Sequence, residues 1–253
     1  MTTQHLAQQL AALTKAFDSP EMKAAREYFD RLSSQLQEVV RPFRDIAEHM
    51  RRLPPAMREA LMVLADRGWF LDPEWTIPEL WPYRNALIYS PEDGEQLLAN
   101  HYRARRRSIR ESLCKSFAVR APILASAFDA DARADYIVSV PLFLIQADGI
   151  CRERCKRQLF SLQPGKDLAS YVAEIDADSI TAAFLHPLAQ GIPIKAKYTP
   201  GQAFDGLNRH MVLHGDSVDY GTELNSLKAM SLLNFVGHMI DDDEPQPSRK
   251  KSR

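Results

Sequence analysis

The chain has little glycine, few cysteines and almost no net charge, and each shortage narrows the class of protein. Ten glycines in 253 residues, with long stretches rich in Ala, Leu, Arg, Glu and Gln, favour helix over tight turns. Three cysteines are an odd number and fit reduced cytosolic thiols better than a disulfide framework. A formal net charge of −1 means that any contact with nucleic acid requires a local basic patch.

Targeting and membrane segments are also missing from the sequence. Residues 1–5 do not combine a basic region with a following apolar run, so we expect no signal peptide. No apolar run reaches the length of about 18 residues that a membrane span requires. We therefore expect a cytoplasmic protein that has no membrane partner.

Several motifs that would identify an enzyme directly are absent. The sequence contains no Gly-x-Gly-x-x-Gly, no P-loop, no Gly-x-Ser-x-Gly and no His-Glu-x-x-His. Cys151 and Cys155 have a spacing that fits one helical face, but no second pair lies near them in the sequence. We therefore expect no cofactor and no metal site.

The N-terminal region, residues 1–88, is strongly periodic. Apolar residues repeat at alternating spacings of three and four from Met22 to Leu53, which predicts a long helix packed on another helix. Pro42 lies inside this pattern and should kink or split the helix. The partner is either a second helix of the same chain or, in a coiled coil, a second copy. A short helix at 55–67, ended by Gly68, and a connector rich in tryptophan and proline complete the region.

Residues 89–240 form a second predicted domain, which is also helical. Ser90 and Pro91 mark the start of a helix that runs to about Phe117. Further helices are predicted over 120–158 with a break at 129–131, near 167–188, over 201–215, and over 223–240 with Thr222 as the N-cap. Residues 241–253 form a charged, disordered tail. The fold class is therefore all-α.

An arginine-rich segment lies in the first helix of this domain. Five arginines occur within eight residues: Arg103, Arg105, Arg106, Arg107 and Arg110. One interpretation is a solvated helix face that is paired with nearby acids such as Glu111. The other is a strip that contacts RNA phosphates through Arg103, Arg106, Arg107 and Arg110.

The segment with the greatest chemical potential is Asn208-Arg-His-Met-Val-Leu-His-Gly215. His210 and His214 are four residues apart, so a helix projects them from nearly the same face, with Arg209 to one side. One fixed cation beside two groups that titrate near neutral pH can bind a phosphate and transfer protons.

Two other interpretations of this segment remain open. Arg209 could pair with Asp205 one turn earlier, while the histidines serve as structural residues at a helix end stopped by Gly215. A metal site built from His210, His214 and Asp216 or Asp219 lacks a well-spaced third ligand.

The sequence here resembles the HEPN domain family, the higher eukaryotes and prokaryotes nucleotide-binding fold. Its motif is an arginine followed by Asn, Asp or His, then a histidine after a gap of four to six residues; here these are Arg209, His210 and His214. The block Asp219-Tyr-Gly-Thr222, Asn225-Ser-Leu-Lys228 and the apolar segment that ends in Asp148 are similar to abortive-infection-like bacterial HEPN proteins. The resemblance covers about residues 120–240.

The resemblance implies a homodimeric, metal-independent endoribonuclease of phage defence or toxin type, with a helical-bundle domain. His214 would be the general acid or base, Arg209 would bind the phosphate, and His210 would assist. Asn208 would orient the scissile group or face the core, and Asp148 would hold an imidazole or the guanidinium. The alternative is a non-catalytic helical module that binds nucleotide, RNA or a protein partner. The RNA target and any antitoxin or defence partner stay unidentified.

Overall fold

The computed structural model describes residues 53–175, 179–196 and 206–240. The chain divides into two compact units, residues 1–52 and residues 53–253. The predicted heptad helix, its coiled-coil alternative and the tail at 241–253 lie outside the described residues. Within the described ranges the regular structure is helical and contains no strand, apart from one isolated bridge between Gln158 and Asp167. The all-α prediction is confirmed.

The described helices follow one another with short connections. Residues 53–66 form α1, and it is followed by α2 (Ile77–Tyr89), α3 (Pro91–Ser116), α4 (Ala121–Ala132) and α5 (Tyr136–Cys155). Then come α6 (Leu168–Ala173), α7 (Ile180–Ala189), a 3-10 turn at Pro193–Lys195, α8 (Arg209–His214) and α9 (Glu223–Met239). None of these helices is long and apolar enough to cross a membrane.

Local signals set several helix ends where the sequence predicted them. Pro91 is the first residue of α3, where its missing N–H costs nothing. Thr222 caps α9 by accepting a hydrogen bond from the N–H of Asn225. Gly68 and Gly215 follow the ends of α1 and α8 with φ values of +80° and +79°, a conformation that strongly favours glycine.

The core is built around α9. The residues of α9 from Ser226 to Gly237 are all buried, so this helix is enclosed on every side. Its most extensive contact is with α5, and it also packs on α3; α5 in turn packs on α4 and contacts α8. The motif helix α8 is therefore attached to the most buried pair of helices.

The predicted domain boundary at residue 88 differs from the division that the structure makes at 52/53. Trp69, Phe70 and Leu71 belong to the same hydrophobic core as α5 and α9. Tyr102 of α3 stacks on Trp69 with ring centroids 5.6 Å apart and donates a hydrogen bond to the carbonyl oxygen of Phe70. Residues 53–88 therefore pack as part of the second unit, because their aromatic side chains fill its core.

Two predicted helix limits were wrong. The break expected at 129–131 comes after Ala132, because Asp131 is buried and accepts a hydrogen bond from Ser226 of α9. The helix expected over 201–215 begins only at Arg209, since Gly206 has a φ of +122° and Asn208 is an extended N-cap. Asp205, the predicted ion-pair partner of Arg209, lies outside the described residues.

Candidate active site

The arginine-rich segment of α3 is bound to acidic side chains and does not form the open strip that the RNA-binding prediction requires. Arg103 and Arg106 both pair with Glu223 at the start of α9. Arg103 Nε lies 3.0 Å and Arg106 Nη2 lies 2.9 Å from Glu223 Oε1. These hydrogen bonds keep the pKa of Glu223 below its usual value. Arg106 Nε also lies 2.8 Å from the Oδ2 of buried Asp131, although this contact lacks hydrogen-bond geometry.

The other arginines of the segment are paired as well. Arg110 meets Asp129 of α4 at 2.7 Å, and Arg105 meets Asp72 and Glu74 in the connector. Arg107 points to solvent and pairs with Glu111 one turn later, as one of the two interpretations anticipated. The segment joins α3 to its neighbours, and its charge is largely offset within the fold.

Asn208 fixes the start of the motif helix. Its side-chain oxygen accepts a hydrogen bond from the N–H of Met211, and its Nδ2 donates to the carbonyl oxygens of Pro193 and Ala196, each at 2.9 Å. Because both amide protons are used and the side chain is buried, Asn208 faces the core, the second role that was predicted for it. It ties α8 to the 3-10 turn.

Arg209 is positioned by an aromatic ring. Its guanidinium carbon lies 5.4 Å from the centroid of the Phe160 ring, within the range of a cation–π contact. Its Nε is buried and has no hydrogen-bond partner among the described residues, and none of their carboxylates lies within ion-pair distance of the guanidinium. A half-buried guanidinium with an unused, buried donor is a site to which an anion can bind.

Asp148 acts on this arrangement indirectly, which differs from the predicted contact with an imidazole or with Arg209. Its Oδ1 accepts a hydrogen bond from the backbone N–H of Leu159, and its Oδ2 pairs with Arg152 on the same helix at 2.9 Å. Leu159 immediately precedes Phe160. Asp148 therefore anchors the loop that carries the ring beneath Arg209.

The two histidines lie side by side on α8. The centroids of the His210 and His214 rings are 4.3 Å apart and the rings are tilted by 53°. His210 is half-buried and His214 is exposed at the last turn of the helix. The predicted common face is therefore present, with His214 on its solvent side.

A cavity of about 390 Å³ opens beside Arg209 and His210. The loop after α5 forms one wall and the 3-10 turn forms the other, and the lining residues are Phe160, Ser161, Leu162, Gln163, Ile194, Lys195, Ala196, Arg209 and His210. No acidic side chain belongs to this lining, and His214 does not reach it. The cavity therefore brings two motif residues, Arg209 and His210, next to polar and apolar side chains that are distant from them in the sequence.

Lys195 is a residue of this cavity that the sequence analysis missed. It is buried, its ammonium group donates to the carbonyl oxygen of Leu188, and burial lowers its pKa although Asp167 and Cys151 act in the opposite direction. A lone lysine in the stretch Ile-Pro-Ile-Lys carries no periodic signal, and only the meeting of the 3-10 turn with α8 makes it part of the site.

Five of the other residues quoted for the family resemblance, Asp219, Tyr220, Thr222, Asn225 and Lys228, line a second cavity of about 290 Å³ beside α8. Asp219 accepts a hydrogen bond from Ser217, Asn225 donates to the carbonyl oxygen of Tyr220, and Lys228 pairs with Glu95. These polar groups are already satisfied by one another. The bond from Asn225 holds the loop after α8 against α9, and the pair of Lys228 with Glu95 joins α9 to α3.

In the described part of the chain, no group of three or more His, Cys, Asp or Glu side chains is arranged to hold a metal ion. Cys151 and Cys155 lie inside the core with their sulfur atoms 3.7 Å apart, and neither belongs to the cavity. Comparison of the chain with protein-family models, curated proteins and solved structures found no match to any of them.

Proposed function

We propose that the chain is a metal-independent endoribonuclease that cleaves RNA through its 2′-hydroxyl group, as the HEPN resemblance implies. The observation that carries the proposal is the arrangement of α8: an arginine whose buried Nε has no hydrogen-bond partner among the described residues, beside two histidine rings 4.3 Å apart. Arg209 binds the non-bridging phosphate oxygens, and charge-assisted bonds to them strengthen as charge develops in the transition state.

The reaction needs one base and one acid. A neutral imidazole removes the proton from the 2′-hydroxyl, the 2′-oxygen attacks phosphorus, and a protonated imidazole gives its proton to the departing 5′-oxygen. The products are a 2′,3′-cyclic phosphate and a 5′-hydroxyl. His214 is the exposed ring that an RNA strand reaches first, and His210 lies between it and the cavity.

A homodimer suits this chemistry better than a single chain. The attacking and leaving oxygens lie nearly in line on opposite sides of phosphorus. Two rings on one face of a short helix approach the phosphate from one side, so a second copy of His214 across an interface would supply the opposite group. We include this dimer in the proposal.

A second candidate function is binding of nucleotide or RNA without cleavage. One observation favours it: among the described residues, neither His210 nor His214 has a hydrogen-bond partner that would fix its tautomer and orientation. Catalytic histidines are commonly oriented by a carboxylate or a carbonyl group. Binding alone needs only the cation and the cavity.

The test is cleavage of RNA by the purified full chain in the presence of EDTA. We expect products that end in a 2′,3′-cyclic phosphate, and a loss of about 100-fold or more in rate for His214→Ala, because general acid–base catalysis contributes that much. Arg209→Ala should lower the rate by a similar factor. His210→Ala should cause a smaller loss, since His210 assists.

Two matched variants serve as controls. His186→Gln changes a half-buried histidine of α7 that does not line the cavity, and Arg133→Ala removes an exposed arginine just after α4. Both should cleave at the wild-type rate. Cleavage that is unchanged in His214→Ala would refute the enzyme proposal. Tight RNA binding without any cleavage, lost in Arg209→Ala, would establish the second candidate in its place.

A further inference from the structure

The cavity beside α8 has a charge distribution that fits an anionic ligand. Arg209 and Lys195 line it together with His210, and no carboxylate belongs to its lining. Lys195 uses one of its three ammonium donors on the carbonyl oxygen of Leu188. Lys195 is buried and Arg209 is half-buried, and burying a charged group is costly unless an opposite charge or hydrogen-bond acceptors compensate it. The nearest offsetting charge that acts on Lys195 is that of Asp167, which lies outside the lining.

The lining also includes apolar side chains, here called the apolar wall. Phe160 and Leu162 lie on the loop after α5, and Ile194 lies on the 3-10 turn. Leu162 is 46% exposed, so within the described part of the chain this lining residue presents a large aliphatic side chain that is not fully covered. An aromatic ring next to an exposed leucine provides a surface on which a planar base can stack.

The size of the cavity agrees with a single small ligand. Its volume of about 390 Å³ lies within the range of about 300–1,000 Å³ that is typical of small-molecule and cofactor sites. A free phosphate would occupy the basic end and leave the apolar wall uncovered. A ligand that is anionic at one end and flat and apolar at the other would cover both.

We propose that this cavity is a subsite for one nucleotide of the RNA, with its phosphate at Arg209 and Lys195 and its base against Phe160 and Leu162. The inference rests on the proposed function, because it assigns the substrate of the same site. It adds three residues, Lys195, Phe160 and Leu162, to those that the motif contains. Binding to the subsite can be measured without cleavage, so the two proposals fail separately.

The experiment is calorimetric titration of the full chain with three probes: nucleoside 3′-monophosphates, inorganic phosphate and the corresponding nucleosides. We expect the nucleotides to bind at least about tenfold more tightly than phosphate, because stacking of the base adds to the affinity. Lys195→Met should weaken the binding of nucleotide and phosphate together. Leu162→Ser should weaken only the nucleotide, since it leaves the basic end intact.

Leu162→Ser is the decisive variant because Leu162 is half-exposed and its replacement does not disturb the core. Phe160→Ala also removes the ring beneath Arg209, so it should weaken both probes. Arg133→Ala, which removes an exposed arginine outside the cavity, is the control and should bind every probe as the wild type does. Circular dichroism confirms that each variant is folded before it is titrated.

Three results would overturn the inference. Equal affinity of phosphate and nucleotides would show an anion site without a base subsite. An unchanged nucleotide affinity in Leu162→Ser would remove the base from this wall. Cleavage of RNA with no nucleotide binding at millimolar concentration would leave the proposed function standing while the subsite fails. Conversely, tight nucleotide binding by a chain that does not cleave RNA would support the subsite and refute the enzyme.

Discussion

Replacing Asp72 by asparagine should destabilise the protein severely, although the change alters only one oxygen and one charge. Asp72 is fully buried at the centre of the joint between the connector, α3 and α9. Its Oδ2 accepts hydrogen bonds from His101 Nε2 at 2.9 Å and from Arg105 Nε at 3.0 Å. Its Oδ1 accepts from the N–H of Glu74 and from Asn234 of α9.

The expected loss in free energy of unfolding follows from the hydrogen-bond donors that would surround the new amide. An asparagine directs its NH₂ group either at the two donors that now meet Oδ2 or at those that meet Oδ1, so at least two donors lose their acceptor. Removing one member of a buried ion pair costs about 3–5 kcal/mol. Arg105 keeps a second partner in Glu74 and is partly exposed, so we expect the lower end, about 3 kcal/mol.

The pH dependence provides a second signature. Burial alone would raise the pKa of Asp72, but the hydrogen bonds from His101 and Glu74 and the charge of Arg105 together lower it. A lowered folded-state pKa means that the ionised carboxylate stabilises the fold above the unfolded-state pKa. This contribution is lost as the pH falls through the folded-state value. The difference between wild type and Asp72→Asn should therefore shrink below about pH 4.

Urea unfolding followed by tryptophan fluorescence measures this effect, because all three tryptophans lie between residues 69 and 81, close to Asp72. The matched control is Glu74→Gln, which removes the exposed acid bound to the same arginine. Its cost should be at most about 1 kcal/mol. The reasoning would be refuted if the two variants lowered the free energy of unfolding equally at pH 7. It would also be refuted if the difference in stability between wild type and Asp72→Asn did not change with pH.

Three further predictions concern the packing of α3, the buried acid of α4 and the support of Arg209. Gly94→Ala should lower the free energy of unfolding by about 1–3 kcal/mol, because the new Cβ would lie 2.6 Å from the backbone nitrogen of Leu87 in α2. The control is Gly149→Ala, whose Cβ would meet only the movable end of the Arg120 side chain. Thermal unfolding of the two variants measures the difference. In urea unfolding at pH 7, Asp131→Asn should lower the free energy of unfolding by less than Asp72→Asn does. Burial raises the pKa of Asp131 despite the hydrogen bond from Ser226 and the nearby charge of Arg106, so its ionised form stabilises the fold less. Asp148→Ala should weaken phosphate binding to the full chain without unfolding it, and a calorimetric affinity equal to that of wild type would contradict the indirect role assigned to Asp148.

The helices were predictable wherever a local signal sets them. Pro91, Thr222 and the glycines at 68 and 215 act within one turn of the chain, so their positions in the sequence predict the helix ends. The break expected at Asp131 failed because a pair of acidic residues resembles a loop in the sequence. Its partners, Arg106 and Ser226, come from α3 and α9, and no local pattern shows them.

The site was predictable only along α8 itself. The spacing of His210 and His214 fixed their common face, because helical geometry alone determines it. The partners of the arginines in α3 were not predictable, since Glu223 and Asp129 reach them through tertiary packing. Phe160 and Lys195 were missed for the same reason. They are 49 and 14 residues before Arg209 in the sequence, and only the fold brings them to one cavity.

The position of Arg209 depends on the most buried helices of the unit rather than on α8, which has only six residues. Asp148 of α5 holds the N–H of Leu159, Phe160 then lies beneath the guanidinium, and Asn208 fastens the start of α8 to the 3-10 turn. A short helix is not stable by itself, so its side chains are placed by these tertiary contacts. Because α5 packs on α9 along its length, the basic side chain is held on a rigid support. This arrangement favours a site that is formed before its ligand binds, and it is why small changes at Asp148 or Phe160, away from the phosphate, should weaken binding.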